Sequence, residues 1–368
     1  MAHRRRLTIR EVAEAAGVST QTVSRVLNNR PDVAAETFRR VQRIIADTGY
    51  APNLLARGLT QGRSRTLGVV AYGLEYFGPT RILTGIEQQA ADMGYSITLN
   101  LIHEPETDGV DSLLNNLAAR QVDGIIWAIP EVSQNRDWSH TKGPGSPVPV
   151  LLVGGMSGQS SVPSIAIDNG AIGRLATEHL VAGGARRIGI ITGPLNWWEA
   201  RERHRGWLET LEQRGLPVDE GLFVEGDWTA ASGECGLDRL LETAPDIDAV
   251  FASNDQMALG VLHGAHRLGR RVPDDLSVVG VDNIAEGSHY WPSLSTVHQP
   301  LRDAGALAVL AIDTLIEEAN RMDELGGSSI TRNRLLPPKL IVRESSRPAP
   351  SAPPPRATSD ELPYRQER

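Results

Sequence analysis

The sequence predicts an all-α helix-turn-helix headpiece followed by an α/β core of two lobes. Three observations carry that expectation. Near the start, two short helical patterns meet at one glycine. From Thr66 onward, apolar runs of four to seven residues alternate with helical stretches. The charge is also split. Residues 1–65 hold 12 arginines, no lysine and five carboxylates, a balance of +7 in a chain of net charge −8, so the remainder carries −15. A basic head on an acidic body suits only the head to a polyanion.

Thr8 and Glu11 have capping-box spacing, hydroxyl then carboxylate three residues on, which satisfies the free N–H groups of a helix start. Ile9, Val12, Ala13 and Ala16 then share one helical face. Gly17 ends the first helix in the left-handed conformation at little steric cost. Ser19 caps a second helix that buries Val23, Val26 and Leu27. Its other face carries Thr20, Gln21, Thr22, Ser24 and Arg25, a hydrogen-bonding set with one permanent cation, as a major-groove recognition helix requires. A third helix is expected from about Ala35 to Thr48, burying Phe38, Val41, Ile44 and Ile45 and ending at Gly49. Its start, Ala34, lacks a capping hydroxyl. Leu54 to Leu59 reads as one short helix capped by Asn53, and Gln61 to Ser64 as a linker.

In the core, strands are expected at Leu67–Ala71, Ser96–Leu101, Gly124–Ala128, Val150–Val153, Ser164–Ile167, Ile188–Thr192, Ala249–Ala252 and Leu276–Val281. Helices fall between most of them, at Arg81–Met93, Gly170–Ala182, Ala200–Arg214, Ala231–Thr243 and Gln256–Leu268. Such alternation implies parallel sheets covered by helices on both faces. About 275 residues exceed one comfortable sheet of this kind, which implies two lobes. Ligands of such sheets bind beyond the carboxyl ends of the strands, and a cleft between lobes gathers several such ends. From Glu344 the chain turns Pro-rich and predicts a disordered tail.

Several function classes drop out. No run is apolar and long enough to span a bilayer, and the basic stretch His3 to Arg6 is followed by a polar helix instead of the apolar region of a signal peptide. A cytoplasmic protein without a membrane partner is expected. One cysteine, Cys235, excludes an intrachain disulfide and a multi-cysteine metal site. Neither a nucleophile elbow nor a phosphate loop is present, and the core histidines are scattered. The expectation is a non-enzyme with no cofactor and no metal. A solute-binding or enzymatic use of the core is the distant alternative.

Two strings name a family: Val12-Ala13-Glu14-Ala15-Ala16-Gly17-Val18-Ser19, and Gln21-Thr22-Val23-Ser24-Arg25-Val26. Residues 8–59 resemble the DNA-binding headpiece and hinge of the lactose repressor (LacI) family of transcription regulators. The likeness continues to about Arg343 through Gly193-Pro194-Leu195, Gly226 to Ala230, Asn254 to Gly260, and Val278 to Asn283. It implies a periplasmic-binding-protein-like core whose lobes exchange strands, and a homodimer on pseudo-palindromic double-stranded operator DNA. The implied domains are a headpiece at 1–50, a hinge helix and linker at 51–65, and a sugar-binding and dimerisation core at 66–343. Within the core, the N-lobe takes about 66–165 and 296–325, and the C-lobe about 166–293 and 327–343. The tail takes 344–368.

By this resemblance Thr20, Gln21 and Arg25 read bases. The chemistry agrees, since glutamine pairs bidentately with adenine, arginine with guanine, and a threonine methyl touches that of thymine. Ser19, Thr22, Ser24, Asn28 and Thr37 match phosphate-contacting positions, which fix register without reading sequence. Asn53, Ala56, Arg57 and Leu59 match the minor-groove hinge, with Leu59 as the wedge that unstacks a base step. A short linker helix with Leu59 packed on the core is the plainer reading of the same residues.

For the effector, Arg201, Asn254 and Asp282 match positions that bond sugar hydroxyls, and Trp228 matches a stacking tryptophan. Taken singly, Asp282 also suits a turn, Asn254 a helix cap, Arg201 a surface ion pair and Trp228 the core. Tyr72, Glu75, Tyr76, Trp127 and Trp198 are secondary candidates at strand ends and in loops. Gly154 stands where the family can place an acidic effector contact. The expected function is a repressor induced by a small carbohydrate. A corepressor mechanism with a purine or phosphorylated effector is the alternative.

Overall fold

The computed structural model describes residues 8–27, 29–50, 63–103, 110–132, 146–155, 162–325 and 333–348. The chain divides into two compact units, Met1–Arg65 and Thr66–Arg368.

In the first unit, α1 (Ile9–Ala16), α2 (Thr20–Leu27) and α3 (Ala35–Thr48) enclose a small core. Its centre is Val12, Ala13, Ala16, Val23, Val26 and Val41, all buried. Phe38, Ile44 and Ile45 are only half-buried around that centre, because three short helices cannot cover them. The capping box forms: Glu11 N–H donates to Thr8 Oγ1 at 3.4 Å, and Thr8 N–H donates to Glu11 Oε2 at 2.6 Å. Gly17 and Gly49 both end their helices at φ +64°. Ser19 caps α2 by accepting from the Thr22 N–H at 3.1 Å, and α3 starts at Ala34 without a side-chain cap.

Among the described residues, the second unit holds two six-stranded sheets. The first runs in the order β11 (Arg334–Leu336), β5 (Ser164–Ile167), β4 (Val150–Val153), β3 (Gly124–Ala128), β1 (Thr66–Ala71), β2 (Ser96–Leu101), with every pairing parallel. The second runs β12 (Lys339–Ile341), β10 (Ser295–His298), β9 (Ser277–Val281), β8 (Ala249–Ala252), β6 (Ile188–Thr192), β7 (Phe223–Glu225), parallel except for β12. Helices α4 (Phe77–Asp92) and α10 (Leu301–Leu325) pair on the first sheet, and α5 (Val110–Ala119) packs against β3. On the second, α6 (Asn169–Ala182) pairs with α7 (Trp198–Gln213), and α8 (Ala230–Thr243) with α9 (Asp255–Arg267). Cys235 is an exposed residue of α8. Among the described residues no helix is long and apolar enough to cross a membrane.

The two-lobed α/β expectation is met, with three corrections to the boundaries. Ser295–His298 belongs to the second sheet, so the chain returns to the first lobe only after His298, not before Thr296. Arg334–Leu336 belongs to the first sheet, so the last crossing falls between Leu336 and Lys339, not near residue 327. Residues 344–348 are part of the core and not of a tail. Ser345 and Ser346 are buried; Ser345 Oγ donates to the Val278 carbonyl at 2.7 Å, and Ser346 Oγ lies 2.7 Å from His179 Nε2. Serines look like tail composition, yet here they satisfy buried polar groups of β9 and α6. Residues 349–368 lie outside the described residues.

Each of the three main helix pairs crosses on reciprocal glycines: Gly85 with Gly305, Gly173 with Gly206, and Gly233 with Gly260. At each, a Cβ would run into backbone of the partner helix, so the pairs pack backbone to backbone. Gly260→Ala should therefore force α9 off α8 and lower stability by about 1–3 kcal/mol, as overpacking does. Urea denaturation checks this; an unchanged midpoint would show that the crossing can open freely.

Candidate functional site

On the headpiece, Thr20, Gln21 and Arg25 lie exposed on α2, as does the capping Ser19. Thr22 and Ser24 are half-buried beside them, and Thr37 is half-buried on α3. Arg25 Nε stands 3.6 Å from Asp32 Oδ2, with both side chains about half exposed. Such a pair is worth little in water, ~0–1 kcal/mol, so the guanidinium can exchange it for a better acceptor. Asn28 and the hinge residues Asn53, Ala56, Arg57 and Leu59 lie outside the described residues.

In the core, the carboxyl ends of both sheets face one cavity of about 400 Å³. That size suits a small molecule. The first lobe supplies mostly apolar wall, from Phe77, Ile82, Val153 and Ile165, with Glu75 and Tyr76. The second lobe supplies the polar groups: Glu199, Arg203, Asn254, Gln256, Asp282 and Gln299.

Trp228 lines the cavity from the edge of the core, with the Arg203 guanidinium 5.6 Å over its ring. Its backbone sits at φ +73°, sparsely populated for a bulky residue. Gly193 lies beneath the indole, where any Cβ would overlap the ring. Trp197 meets Trp228 at 5.7 Å between centroids and 64° between planes, and Tyr76 meets Trp197 edge-on at 5.5 Å. Trp228 Nε1 is buried with no hydrogen-bond partner. Asn254 caps α9, accepting from the Met257 N–H at 2.7 Å, and donates to the Trp228 carbonyl at 2.9 Å. It is both the helix cap and a cavity residue, with one donor and one lone pair left over.

Arg203 is buried. Its Nε donates to Asn169 Oδ1 at 2.8 Å, Nη1 to the Ser253 carbonyl at 2.5 Å and Nη2 to Gln299 Oε1 at 3.2 Å. Burial lowers its pKa, and Asp282, Glu199 and Asp255 oppose that. Asp282, at φ +115°, accepts from Gln299 Nε2 at 2.6 Å. Burial pushes its pKa up to about 6 against the pull of Arg203. Behind it Asp255 accepts from Thr296 Oγ1 at 2.7 Å and from the Ile284 N–H at 2.9 Å. Burial, then the Asp282 charge, pushes its pKa up to about 8.

Of the four main effector candidates, the structure brings together Trp228, Asn254 and Asp282 but not Arg201. Arg201 Nη1 donates to the carbonyls of Leu195 and Asn196 at 3.0 and 2.7 Å, and Nη2 stands 3.7 Å from Glu131 Oε1. Two residues turn a helix by about 200°, so Arg203 faces the cavity and Arg201 faces away. Arg203 was legible as an arginine inside the buried stripe Ala200, Arg203, Trp207 and Leu211.

Glu75 and Tyr76 line the cavity, but Tyr72, Trp127 and Trp198 do not. Tyr72 packs on Trp197 at 6.1 Å, and Trp127 and Trp198 are buried. For the latter two, the neighbours Ala128 and Trp197 face the cavity instead, a phase error of one residue. Trp291 is 93% exposed and away from the site. Among the described residues no cluster of His, Cys, Asp or Glu is placed to hold a metal.

Raised carboxyl pKa values make the folded chain hold more protons than the unfolded one above the ordinary Asp range. The contribution of Asp255 and Asp282 to stability is therefore present at low pH and lost as pH rises through about 6 and about 8. Asp255→Asn should flatten the fall in thermal midpoint across that window, as calorimetry at stepped pH would show. An unchanged slope would mean that Asp255 titrates in its ordinary range.

Residues 8–53 match the lacI family of bacterial regulatory proteins, and residues 177–346 match a periplasmic binding protein-like domain. The chain is 34% identical to the catabolite control protein A of Priestia megaterium, over 93% of this chain and 99% of that protein. It is 33% identical to the lactose operon repressor of Escherichia coli (strain K12), over 97% and 95%. It is also 33% identical to the HTH-type transcriptional repressor PurR of Haemophilus influenzae (strain PittEE), over 92% and 98%. The lac repressor dimer bound to operator and the anti-inducer ONPF has a similar structure, with a TM-score of 0.79 at 31% identity, over 93% of this chain and 99% of that one. The complex of the transcriptional regulator CelR with cellobiose gives 0.66 at 31%, over 92% and 100%. The chain belongs to the lacI family of bacterial regulatory proteins, and it is a DNA-binding transcriptional repressor with a ligand-binding core.

Proposed function

We propose that this repressor is induced by a small neutral carbohydrate bound in the cavity between the lobes. The observation that carries this is the pairing of a flat indole wall, Trp228, with a hydrogen-bonded array of Arg203, Gln299 and Asp282 on the adjoining wall. Sugars need that combination: an apolar face for ring C–H groups, and charge-assisted partners for paired hydroxyls. Among the described residues the lining carries three carboxylates, Glu75, Glu199 and Asp282, against one cation, Arg203. That balance disfavours a phosphorylated effector. A neutral purine remains a competitor, because PurR relatives are as similar as the lactose repressor.

On DNA, Thr20, Gln21 and Arg25 read bases of one half-site, while Ser19, Thr22, Ser24, Asn28 and Thr37 hold phosphates. A homodimer places two heads on a pseudo-palindromic operator, a reading supported by the similar lac repressor dimer bound to operator. The segment with Asn53, Ala56, Arg57 and Leu59 enters the minor groove between them. Inducer and operator are then coupled through two states of the dimer.

A thermal-shift screen with glucose, ribose, cellobiose, lactose, maltose, hypoxanthine and guanine tests the effector class, because a ligand of the native state raises its midpoint. A neutral sugar should raise it and the purines should not; a shift from purines alone overturns the carbohydrate reading. Arg25→Ala should weaken binding to a selected operator by ~1–3 kcal/mol and relax base preference at one position of each half-site. Unchanged preference in a binding selection would remove Arg25 from base reading.

A further inference from the structure

Residues 1–65 hold 12 arginines against five carboxylates, so an acidic side chain beside the recognition helix needs a reason. Near DNA an uncompensated carboxylate repels phosphates and weakens binding to every sequence. Asp32 stands there all the same, its Oδ2 3.6 Å from Arg25 Nε.

The backbone brings it to that place. After α2 the Asn29 N–H donates to the Val26 carbonyl at 3.1 Å and the Arg30 N–H to the Arg25 carbonyl at 3.0 Å, with Asn29 at φ +49°. These are the two bonds of a Schellman stop, with asparagine in the left-handed position that glycine usually takes. They turn the chain back along the last turn of α2. Pro31 follows at once and cannot continue a helix. Val33 then packs on the headpiece core. Asp32 is thus held between two fixed points, the stop at Arg30 and the anchor at Val33.

The atoms in contact decide what the pair can do. A guanidinium is a planar fork of N–H donors. The carboxylate stands at Nε, on one edge of the fork. The terminal nitrogens, Nη1 and Nη2, form the edge that meets guanine O6 and N7 end-on. Asp32 therefore does not compete for the donors that the base requires. A long arginine loses side-chain entropy when it settles on one base, and a neighbour that already restrains it reduces that loss. In water the exposed pair is weak; DNA that covers it excludes solvent and strengthens it.

We propose that Asp32 is a positioning residue of the DNA site, holding the Nε edge of Arg25 so that the terminal edge meets guanine in a fixed orientation. The inference rests on base reading by Arg25 and deepens it. Asp32 trades overall affinity for discrimination, because its charge opposes the phosphates while its contact sharpens one base preference.

Binding selection from a library of randomised palindromic sites tests this, on the full chain as wild type, Arg25→Ala, Asp32→Asn and the double variant. Affinity for unrelated duplex DNA is measured alongside. Asp32→Asn keeps the shape of the side chain and removes its charge. It should lower guanine preference about fivefold at the position that Arg25→Ala flattens, the upper end of what an exposed pair is worth, and leave other positions alone. Its binding to unrelated duplex should be equal or tighter, which a damaged loop would not give. In Arg25→Ala, adding Asp32→Asn should alter no base preference. Full guanine preference in Asp32→Asn, with Arg25→Ala flattened, overturns the role of Asp32 and leaves base reading by Arg25 standing. Weaker binding to every sequence also overturns it, since Asp32 would then serve the fold of the loop. A preference that changes when Asp32→Asn is added to Arg25→Ala overturns it as well, because Asp32 would then touch DNA directly. If Arg25→Ala keeps its preference, base reading by Arg25 falls and this inference falls with it.

Discussion

The cleft is organised around one buried cation. A guanidinium in the interior is tolerable only when its hydrogen-bonding groups find partners, and Arg203 finds them on three separate segments. Asn169 is the first residue of α6, directly after the chain leaves the first sheet. Ser253 follows β8, and Gln299 lies just before α10, where the chain returns. Arg203 therefore ties together two of the three strand crossings between lobes. The third is adjacent, since the Asp168 N–H donates to the Leu336 carbonyl at 3.0 Å. Through Gln299 the same network sets Asp282. A ligand that touches Arg203 or Asp282 thus acts on the groups that join the lobes.

The second constraint is strain held in place by the end of the chain. Asp282 and Asn283 both have positive φ, at +115° and +56°. Such a turn persists only where its surroundings over-determine it. Arg343 supplies part of that support, donating to Asn283 Oδ1 at 2.7 Å and to the Leu294 carbonyl at 2.6 Å. Ser345 adds to it by bonding β9 and accepting from the Ser295 N–H at 2.8 Å. The segment that composition assigns to a tail is thus a clamp on the strand that delivers Asp282.

What was legible in the sequence follows the range of the forces involved. The headpiece was readable nearly in full, because capping box, glycine stops and helical stripes are local. The buried strands β3, β4, β5, β6 and β8 were readable as apolar runs. β7, β10, β11 and β12 were not, being three or four residues long, and β10 buries Ser295 and Thr296, which carry no apolar signal. In the site, residue types were right more often than phases. α7 starts at Trp198 and not at Ala200, and the helix start together with the packing stripe decides which arginine looks inward. Trp197 for Trp198, and Ala128 for Trp127, are shifts of the same kind. Gln299 and Glu199 carried no sequence signal, since each acquires meaning only from partners far along the chain.

The division of labour between the lobes bears on how binding could be transmitted. Among the described residues, nearly all polar groups of the cavity belong to the second lobe, while the first contributes chiefly apolar wall. A ligand shifts an equilibrium only by the difference in its affinity for the two states. If the second-lobe array is preformed in both, its hydrogen bonds add affinity without bias. Bias must then come from what the first lobe adds on approach: apolar cover from Phe77 and Ile82, and the bare backbone at Gly154 opposite Glu199. Affinity and allosteric power are then separable, the first residing in Arg203 and Asp282, the second in the wall that faces them. A ligand can in that case bind tightly without inducing, provided it fills the second-lobe array and leaves the first-lobe wall untouched.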